Sequence, residues 1–332
     1  MTQVSTRHEK TIDVVALGEA MVEFNQTSPA QPNYLQGFGG DTSNACVAAA
    51  RAGAHCAYLT RLGDDTFAQQ LQNLWATEGV NTDGIEIDAQ APTGIYFVTH
   101  GPTGHAFSYR RADSAASKMS VTWLSGTPTE LIKRAKWLHV SGISLGISDQ
   151  ACNTVFAAID TARRARTLVS FDSNLRLKLW SIERARIHIS NTVSRCDLFL
   201  PSLEDMVSLT GLTDPHAILR WSHDQGARRV VLKLGAQGAL VSESQPNASG
   251  KAAQPQQYEI TEIQGCKVNA VDATGAGDCF CGNILARLSL GDDLVTAARY
   301  ANAAAALAVQ SWGAVACLPN AEQVRASLSI SA

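Results

Sequence analysis

A run of small residues, Val271-Asp272-Ala273-Thr274-Gly275-Ala276-Gly277-Asp278-Cys279-Phe280, leads into an apolar helical pattern near the C-terminal end of the chain. Glycine and alanine let the backbone approach an anion closely, and the start of a helix directs unpaired N–H groups and the positive end of its dipole at that anion. Gly275, Ala276 and Gly277 are therefore predicted to form an anion hole for a phosphate.

Asp278 lies in the same turn, where its carboxylate would repel a bound phosphate. The charge is useful there if it takes a proton from a hydroxyl that attacks the phosphate. The alternative is a first-turn carboxylate that the helix dipole merely favours. The length of the string, and a second string upstream, favour phosphoryl transfer to an alcohol with Asp278 as the general base.

The composition is that of an ordinary globular protein. The chain has 332 residues, 45% of them hydrophobic, and a formal net charge of −3, which gives no electrostatic reason to expect nucleic acid or an anionic membrane as a partner. The eight cysteines are scattered without a C-x-x-C pair and are predicted to be reduced. The polar start of the chain and the lack of an apolar run near ~18 residues predict a cytoplasmic protein.

Short apolar strand patterns alternate with helical patterns along most of the chain. Strands are predicted at 13–18, 137–140, 167–171, 197–200 and 229–234, and helices at 42–52, 154–166, 182–194, 203–209 and 294–310. Such alternation predicts an α/β fold with three layers, α/β/α, around a mainly parallel central sheet. Segments 238–242 and 257–262 are predicted to form an antiparallel edge, joined by a surface loop over 242–255.

Two stretches do not fit this core, because they alternate apolar and polar residues and are rich in turn formers. We predict a small β lid with strands from 19–38 and 93–111, within one domain that spans 1–332. A lid would keep water away from the transferred phosphoryl group. Its exposed strand edges would be covered if two copies paired, so a homodimer through the lid is expected.

The upstream string is Gly39-Gly40-Asp41-Thr42-Ser43-Asn44, which precedes an alanine-rich helix. Gly39 and Gly40 would let a ligand approach the backbone, while Asp41 and Asn44 could bind vicinal hydroxyls. By itself this string could also be a capped helix, since Asp41 is a good N-cap residue.

Together, the two strings resemble the ribokinase (PfkB-type) family of carbohydrate kinases. Its members have a glycine-glycine-x-x-x-Asn element near the N-terminus and a D-T-x-G-A-G-D element near the C-terminus. The resemblance extends from Ile12 to Pro319, with Ala273 in place of the usual Thr or Ser. It implies a ribokinase-like fold with ATP as the phosphoryl donor and Mg²⁺ between the nucleotide phosphates.

The resemblance also implies roles for individual residues. Asp278 would be the base, and the family's nucleotide site would correspond to Asn174, Arg176, Lys233, Gly235, Gly238, Gly275, Gly277 and Asn302. Many relatives have Asn-x-x-Glu near the metal, where this chain has Ser202 and Asp205. Asp205 would act around the metal without binding it directly; alternatively, Ser202 simply caps a helix.

Several residues in the middle of the chain are predicted to meet the acceptor, namely Tyr96, Ser108, Tyr109, Arg110 and Arg176. Arginine pairs with a carboxylate through two parallel hydrogen bonds, so arginines at a sugar pocket suggest an acidic acceptor. The Tyr-Arg pair and the string Asp172-Ser173-Asn174-Leu175-Arg176 resemble 2-keto-3-deoxygluconate kinases. Fructokinases share that string, and Arg110 and Arg111 could also be a solvated strand face.

The sequence therefore predicts an ATP- and Mg²⁺-dependent sugar kinase that makes 2-keto-3-deoxy-6-phosphogluconate. One alternative is fructokinase or another kinase of a neutral sugar. An alternative from a different class is a regulator that binds sugar or nucleotide without turnover, although Asp278 and the complete anion hole argue against it. A dinucleotide-dependent oxidoreductase is disfavoured because no G-x-G-x-x-G follows the first strand.

Overall fold

The computed structural model describes residues 9–28, 31–101, 104–244 and 258–330. Its strands are β1 (Ile12–Leu17), β2 (Met21–Gln26), β3 (Tyr34–Gly39), β4 (Cys56–Leu59), β5 (Arg61–Gly63), β6 (Glu86–Asp88), β7 (Ile95–Gly101), β8 (Gly104–Arg110), β9 (Ala135–Ser141), β10 (Leu168–Asp172), β11 (Leu198–Phe199), β12 (Arg229–Lys233), β13 (Gly238–Ser244) and β14 (Tyr258–Gln264). Its α-helices are α1 (Asp41–Arg51), α2 (Thr66–Thr77), α3 (Val121–Leu124), α4 (Thr127–Arg134), α5 (Gly142–Gly146), α6 (Asp149–Arg164), α7 (Ile182–Val193), α8 (Leu203–Thr210), α9 (Pro215–Asp224), α10 (Ala276–Ser289), α11 (Leu294–Ala308) and α12 (Ala321–Ile330).

The central sheet has eight strands in the order β14-β13-β12-β11-β10-β9-β1-β4. The pairs from β4 to β12 are parallel, whereas β13 and β14 pair antiparallel at one edge. The predicted three-layer α/β/α fold with a mainly parallel sheet and an antiparallel edge is confirmed. Most of the loop predicted over 242–255 lies outside the described residues; β13 itself continues to Ser244.

The central strands are buried on both faces, because helices cover both sides of the sheet. Successive side chains of a strand point to opposite sides and pack against different helices. In β1, Val14 and Ala16 belong to one hydrophobic cluster, with α1, α2, α10, α11 and α12. Val15 and Leu17 belong to the other cluster, with α4 and α6 to α9. Burying both faces in this way removes apolar surface from water and stacks the three layers.

Helix α6 begins at Asp149, five residues before the predicted start at 154. The reason is local, because the Ser148 side chain accepts a hydrogen bond from the Ala151 amide and caps the helix there. The apolar periodicity located the helix but did not locate its capped first turn.

The two stretches set apart by their alternation form a second sheet of four strands, in the order β3-β2-β7-β8. We call it the small sheet. A two-stranded parallel sheet, β5 and β6, was not predicted because each strand has only three residues. Among the helices of the described residues, none has both the length and the apolarity that a membrane crossing needs.

Candidate active site

One cavity of about 1130 Å³ contains nearly all of the predicted site residues. Its floor lies at the carboxyl ends of the central strands, where β10 ends at Asp172 and β12 ends at Lys233. The first turn of α10 forms one side, and the small sheet contributes Tyr96 and Tyr109 to another. Crevices at the carboxyl ends of parallel strands are the usual ligand sites of open α/β sheets.

The first turn of α10 has the geometry expected of an anion hole. Gly275 is its N-cap with φ of 75°, in the left-handed region that favours glycine, and within the described chain no side chain caps this helix. Asp272 fixes the approach, since its two carboxylate oxygens accept from the amides of Thr274 (2.9 Å) and Gly313 (3.1 Å). The two hydrogen bonds of Asp272 therefore hold this turn in place beside the cavity.

Asp278 lies in this turn with 9% of its surface exposed, and its Oδ2 accepts a 2.8 Å hydrogen bond from Asn44 Nδ2. Burial raises the pKa of Asp278 to about 7, and the neighbouring Asp41 carboxylate adds to the rise, whereas the bond from Asn44 opposes it. A carboxylate with this pKa binds a proton well near neutral pH, as a general base must.

We expect the kcat/KM of the enzyme to rise with pH up to about 7 and then level off, because protonated Asp278 cannot accept a proton. The Asp41→Asn variant should move this acid limb to lower pH, since it removes a neighbouring negative charge. A pH–rate profile of both proteins tests this. An acid limb near 3.8, the ordinary value for aspartate, in the unmodified enzyme would contradict it.

Asp41, Asn44 and Asn174 line one part of the cavity. Asn174 Nδ2 donates a 3.0 Å hydrogen bond to Asp41 Oδ2. Asn174, which the resemblance assigned to the nucleotide, therefore lies next to a residue predicted to bind the acceptor. Gly40 lines the cavity with φ of 106°. Gly39 lies behind it, where a side chain would overlap the hydroxyl of Tyr96, so its effect on the site is through packing.

The structure does not bring Ser108 and Arg110 to the cavity, which corrects the prediction for both residues. Alternate residues of β8 face opposite sides, so Ser108 and Arg110 are exposed on the outer face. Phe107, Tyr109 and Arg111 line the cavity instead. The period-two alternation of a strand separates Phe107, Tyr109 and Arg111 from Ser108 and Arg110, and it is the signal in the sequence that distinguishes the two sets.

Arg111 pairs with Glu19, whose side chain is completely buried while that of Arg111 is 11% exposed. Ser114 Oγ donates a further 2.5 Å hydrogen bond to Glu19 Oε1. On the neighbouring strands, Tyr96 Oη donates a 2.5 Å hydrogen bond to Glu23 Oε2. The bond between Glu23 and Tyr96 therefore joins β2 to β7 within the small sheet, whereas Glu19 lines the cavity. The sequence interpretation assigned neither carboxylate to the site.

The other predicted residues line the remaining side of the cavity, namely Arg176, Asp205, Lys233, Gly235, Gly238 and Asn302. Asp205 Oδ2 accepts a 2.7 Å bond from Ser173 Oγ, and Ser202 does cap α8, accepting from the Asp205 amide. Asn302 Nδ2 donates a 3.0 Å hydrogen bond to the carbonyl oxygen of Gln264 at the end of β14.

Comparisons with known proteins agree with this geometry. Residues 10–321 match the pfkB family of carbohydrate kinases. This chain belongs to that family. It is a carbohydrate kinase, and the predicted family and activity class are confirmed.

The relatives of this pfkB kinase differ in acceptor. The chain is 32% identical over 321 residues to the 2-dehydro-3-deoxygluconokinase of Thermoproteus tenax, an alignment that covers 94% of this chain and 93% of the relative. It is also 32% identical over 332 residues to fructokinase-1 of Zea mays, covering 94% and 96%. The fructokinase of Vibrio cholerae O395, solved with fructose, ADP and calcium ion, has a TM-score of 0.81 and 30% identity and covers 95% of this chain and 98% of its own.

Proposed function

We propose that this kinase transfers the terminal phosphoryl group of ATP to 2-keto-3-deoxygluconate (2-dehydro-3-deoxygluconate) and forms 2-keto-3-deoxy-6-phosphogluconate. The observation that supports this acceptor is Arg176, a cation with 51% of its side chain exposed that lines the cavity. A keto-acid acceptor presents a carboxylate that such a guanidinium binds, whereas a neutral sugar does not.

In the proposed reaction Asp278 accepts the proton of the attacking hydroxyl. Asn44 orients this carboxylate through its hydrogen bond to Oδ2 and leaves Oδ1 for the acceptor. The backbone of Gly275 to Gly277 stabilises negative charge on the transferred group, because amides at a helix start are fixed before the reaction begins. The small sheet, acting as a lid, excludes water that would otherwise compete with the acceptor.

The donor set fits ATP together with a divalent metal. Within the described residues no group of three acidic, histidine or cysteine side chains could hold a metal by itself. Mg²⁺ is commonly held through nucleotide phosphates and keeps several bound waters. Asp205 supplies a carboxylate at this side of the cavity that would accept hydrogen bonds from such waters without binding the metal directly. When bound, Mg²⁺ would neutralise charge on the phosphates.

Arg176 suits the carboxylate better than Arg111 does. Arg111 is already paired with the buried Glu19, so its charge is compensated. Arg176 has a looser contact with a carboxylate, since its Nη1 lies 4.0 Å from Oδ1 of Asp205. Arg176 also lies close enough to Tyr109 to lower the pKa of that phenol, although burial outweighs it and raises the pKa overall.

A neutral sugar such as fructose is the second candidate acceptor. Asp41, Asn44 and Asn174 are suited to hydroxyl groups of any sugar, and the fructokinase relative is as similar to this chain as the ketodeoxygluconate kinase relative. Magnesium as the metal, the cytoplasmic location and the homodimer through the lid also stay predictions. For the dimer, the supporting feature is β3 at a sheet edge with Leu35 67% exposed.

The Arg176→Gln variant should lower kcat/KM for ketodeoxygluconate by roughly 10–150-fold, the value of a charge-assisted hydrogen bond of about 1.5–3 kcal/mol. Turnover of fructose should change much less. The measurement is the ratio of the two specificity constants, because any effect of Arg176 on ATP alters both and cancels.

Arg110→Gln is the matched control, because it makes the same arginine-to-glutamine change at an exposed position outside the cavity. Arg110 lies on the outer face of the small sheet, whose other face meets the cavity. It should leave the ratio unchanged. A ratio that Arg176→Gln does not alter, or a preference of the unmodified enzyme for fructose, would favour the neutral-sugar kinase.

A further inference from the structure

Lys233 lines the cavity and is held there by two partners. Its Nζ donates to Asp172 Oδ1 at 2.9 Å and to Cys281 Sγ at 3.5 Å. Cys281 Sγ in turn donates to Asp172 Oδ2 at 3.3 Å, so the three side chains form a closed ring of hydrogen bonds. The ring joins the ends of β10 and β12 to the second turn of α10.

This ring places the ammonium beside the predicted anion hole. A Cβ atom added to Gly277 would lie 3.5 Å from Lys233 Nζ, so the ammonium faces the first turn of α10. The side chains of Lys233 and Asp172 are only 12% and 4% exposed. The location is where negative charge on a nucleotide phosphate would be stabilised by both the helix start and a cation.

The environment keeps Lys233 charged. Burial alone would lower the pKa of its ammonium, but the Asp172 carboxylate, with Cys281 and Asp205, outweighs burial and raises the pKa. His139 is near enough to interact electrostatically with Asp172 and Lys233, but burial lowers its pKa to about 4, so it adds no positive charge at neutral pH.

The simpler explanation of the Lys233–Asp172 contact is an ion pair that stabilises the fold. That explanation does not account for the position of the pair beside the first turn of α10. Buried ion pairs contribute little net stability, because desolvation of the two charges offsets their attraction. Lysine also has a flexible four-carbon chain, and Asp205 and Asp278 offer other carboxylates within electrostatic reach. Without a fixed partner, Lys233 could pair with Asp278 and neutralise the base.

We propose that Asp172 and Cys281 are positioning residues that hold Lys233 against the first turn of α10, where its ammonium binds the phosphates of the donor nucleotide. The inference rests on the proposed function only in taking ATP as the donor. It does not depend on which sugar is the acceptor.

The test is a double-mutant cycle between Asp172→Asn and Lys233→Met, measured with the acceptor that the unmodified enzyme uses best. Asp172→Asn alone should lower kcat/KM for ATP by roughly 10–100-fold, as expected when one strong charged contact is lost, and leave the KM of the acceptor nearly unchanged. In the Lys233→Met background the same change should cost less than about 3-fold, because the side chain that it positions is gone.

Cys281→Val supplies a second measurement if the Asp172 variant does not fold. It removes both sulfur contacts while adding the bulk of about one methyl group, so kcat/KM for ATP should fall a few-fold. Cys196→Val is the matched control, a buried cysteine outside the cavity that should have no effect. Additive losses in the cycle, a loss in acceptor KM instead of ATP specificity, or equal effects of the two cysteine variants would each overturn the proposal.

A failure here is distinguishable from a failure of the proposed function. If the acceptor is fructose, the Arg176→Gln experiment fails to change the ratio of specificity constants, and the proposed acceptor is wrong. The double-mutant cycle of Asp172 and Lys233 still gives the expected result, because it concerns ATP. If Lys233 does not bind the donor, Lys233→Met itself leaves kcat/KM for ATP unchanged, and the positioning proposal fails alone.

Discussion

Replacing Asp278 with asparagine should lower kcat by at least ~10²–10⁴-fold, the usual contribution of a general base. Asparagine has nearly the same shape but cannot accept the proton of the attacking hydroxyl. Binding of ATP should change little, because the backbone of the anion hole is untouched. Steady-state kinetics and titration with a non-hydrolysable ATP analogue measure the two effects separately.

The stability of this variant supplies an independent control. Since burial and Asp41 raise the pKa of Asp278 to about 7, the folded protein binds this proton more tightly than the unfolded chain does. Stability from the protonated form is therefore lost as pH rises through about 7, and the asparagine variant avoids that loss. We expect a Tm at pH 8 equal to or above that of the unmodified protein. A folded variant with near-normal turnover would rule out Asp278 as the base.

Replacing Gly277 with valine should reduce kcat/KM for ATP by about 10²–10³-fold or more, comparable to the loss of a backbone donor from an oxyanion hole. The added side chain projects toward Lys233, into the space where the phosphate is expected to bind. Its branched carbon would keep the phosphate away from the amides of this turn. Activity and Tm should be measured on one preparation.

Gly277→Ala is the matched control for valine. A Cβ at this position meets only ordinary contacts, with Lys233 Nζ at 3.5 Å, and alanine is a better helix residue than glycine. The alanine variant should gain up to about 1 kcal/mol of stability while losing part of its activity. Losses of activity and stability in proportion, in both variants, would indicate that Gly277 is only a structural turn.

The sequence was sufficient for the layers and for the helix start at Gly275, because both depend on local patterns. Alternating buried strands and helices predict a parallel sheet, and the string from Val271 to Phe280 defines a helix start with its own carboxylate. The start of α6 is also set by a local signal, the capping residue Ser148. Apolar periodicity by itself does not contain that signal.

The contacts that orient the site could not be predicted, because they join residues far apart in the chain. Asn174 and Asp41 are 133 residues apart, and Lys233 and Asp172 are 61 apart. Such pairs depend on which strand ends become neighbours in the sheet. The exposure of Arg110 on the outer face could not be predicted for a different reason, because alternation separates the two faces of a strand but does not say which face meets the cavity.

The acceptor stays open for a chemical reason. In our proposal Asp41, Asn44 and Asn174 bind hydroxyl groups, which every candidate sugar has, so these residues do not separate kinases of different sugars. What distinguishes a keto-acid acceptor from a neutral sugar is a positive charge that binds the carboxylate. In our proposal that charge is the guanidinium of Arg176, which lines the cavity.

The hydrogen bond between Asn44 and Asp278 spans 234 positions of the chain and brings α1 against α10. Translation runs from the N-terminus, so the residues of α1 that are proposed to bind the acceptor leave the ribosome long before Asp278 and the turn proposed to bind phosphate do. A growing chain that ends before residue 275 contains α1 but lacks the groups proposed for chemistry. The complete candidate site therefore forms only after α10 has been synthesised and has packed against α1.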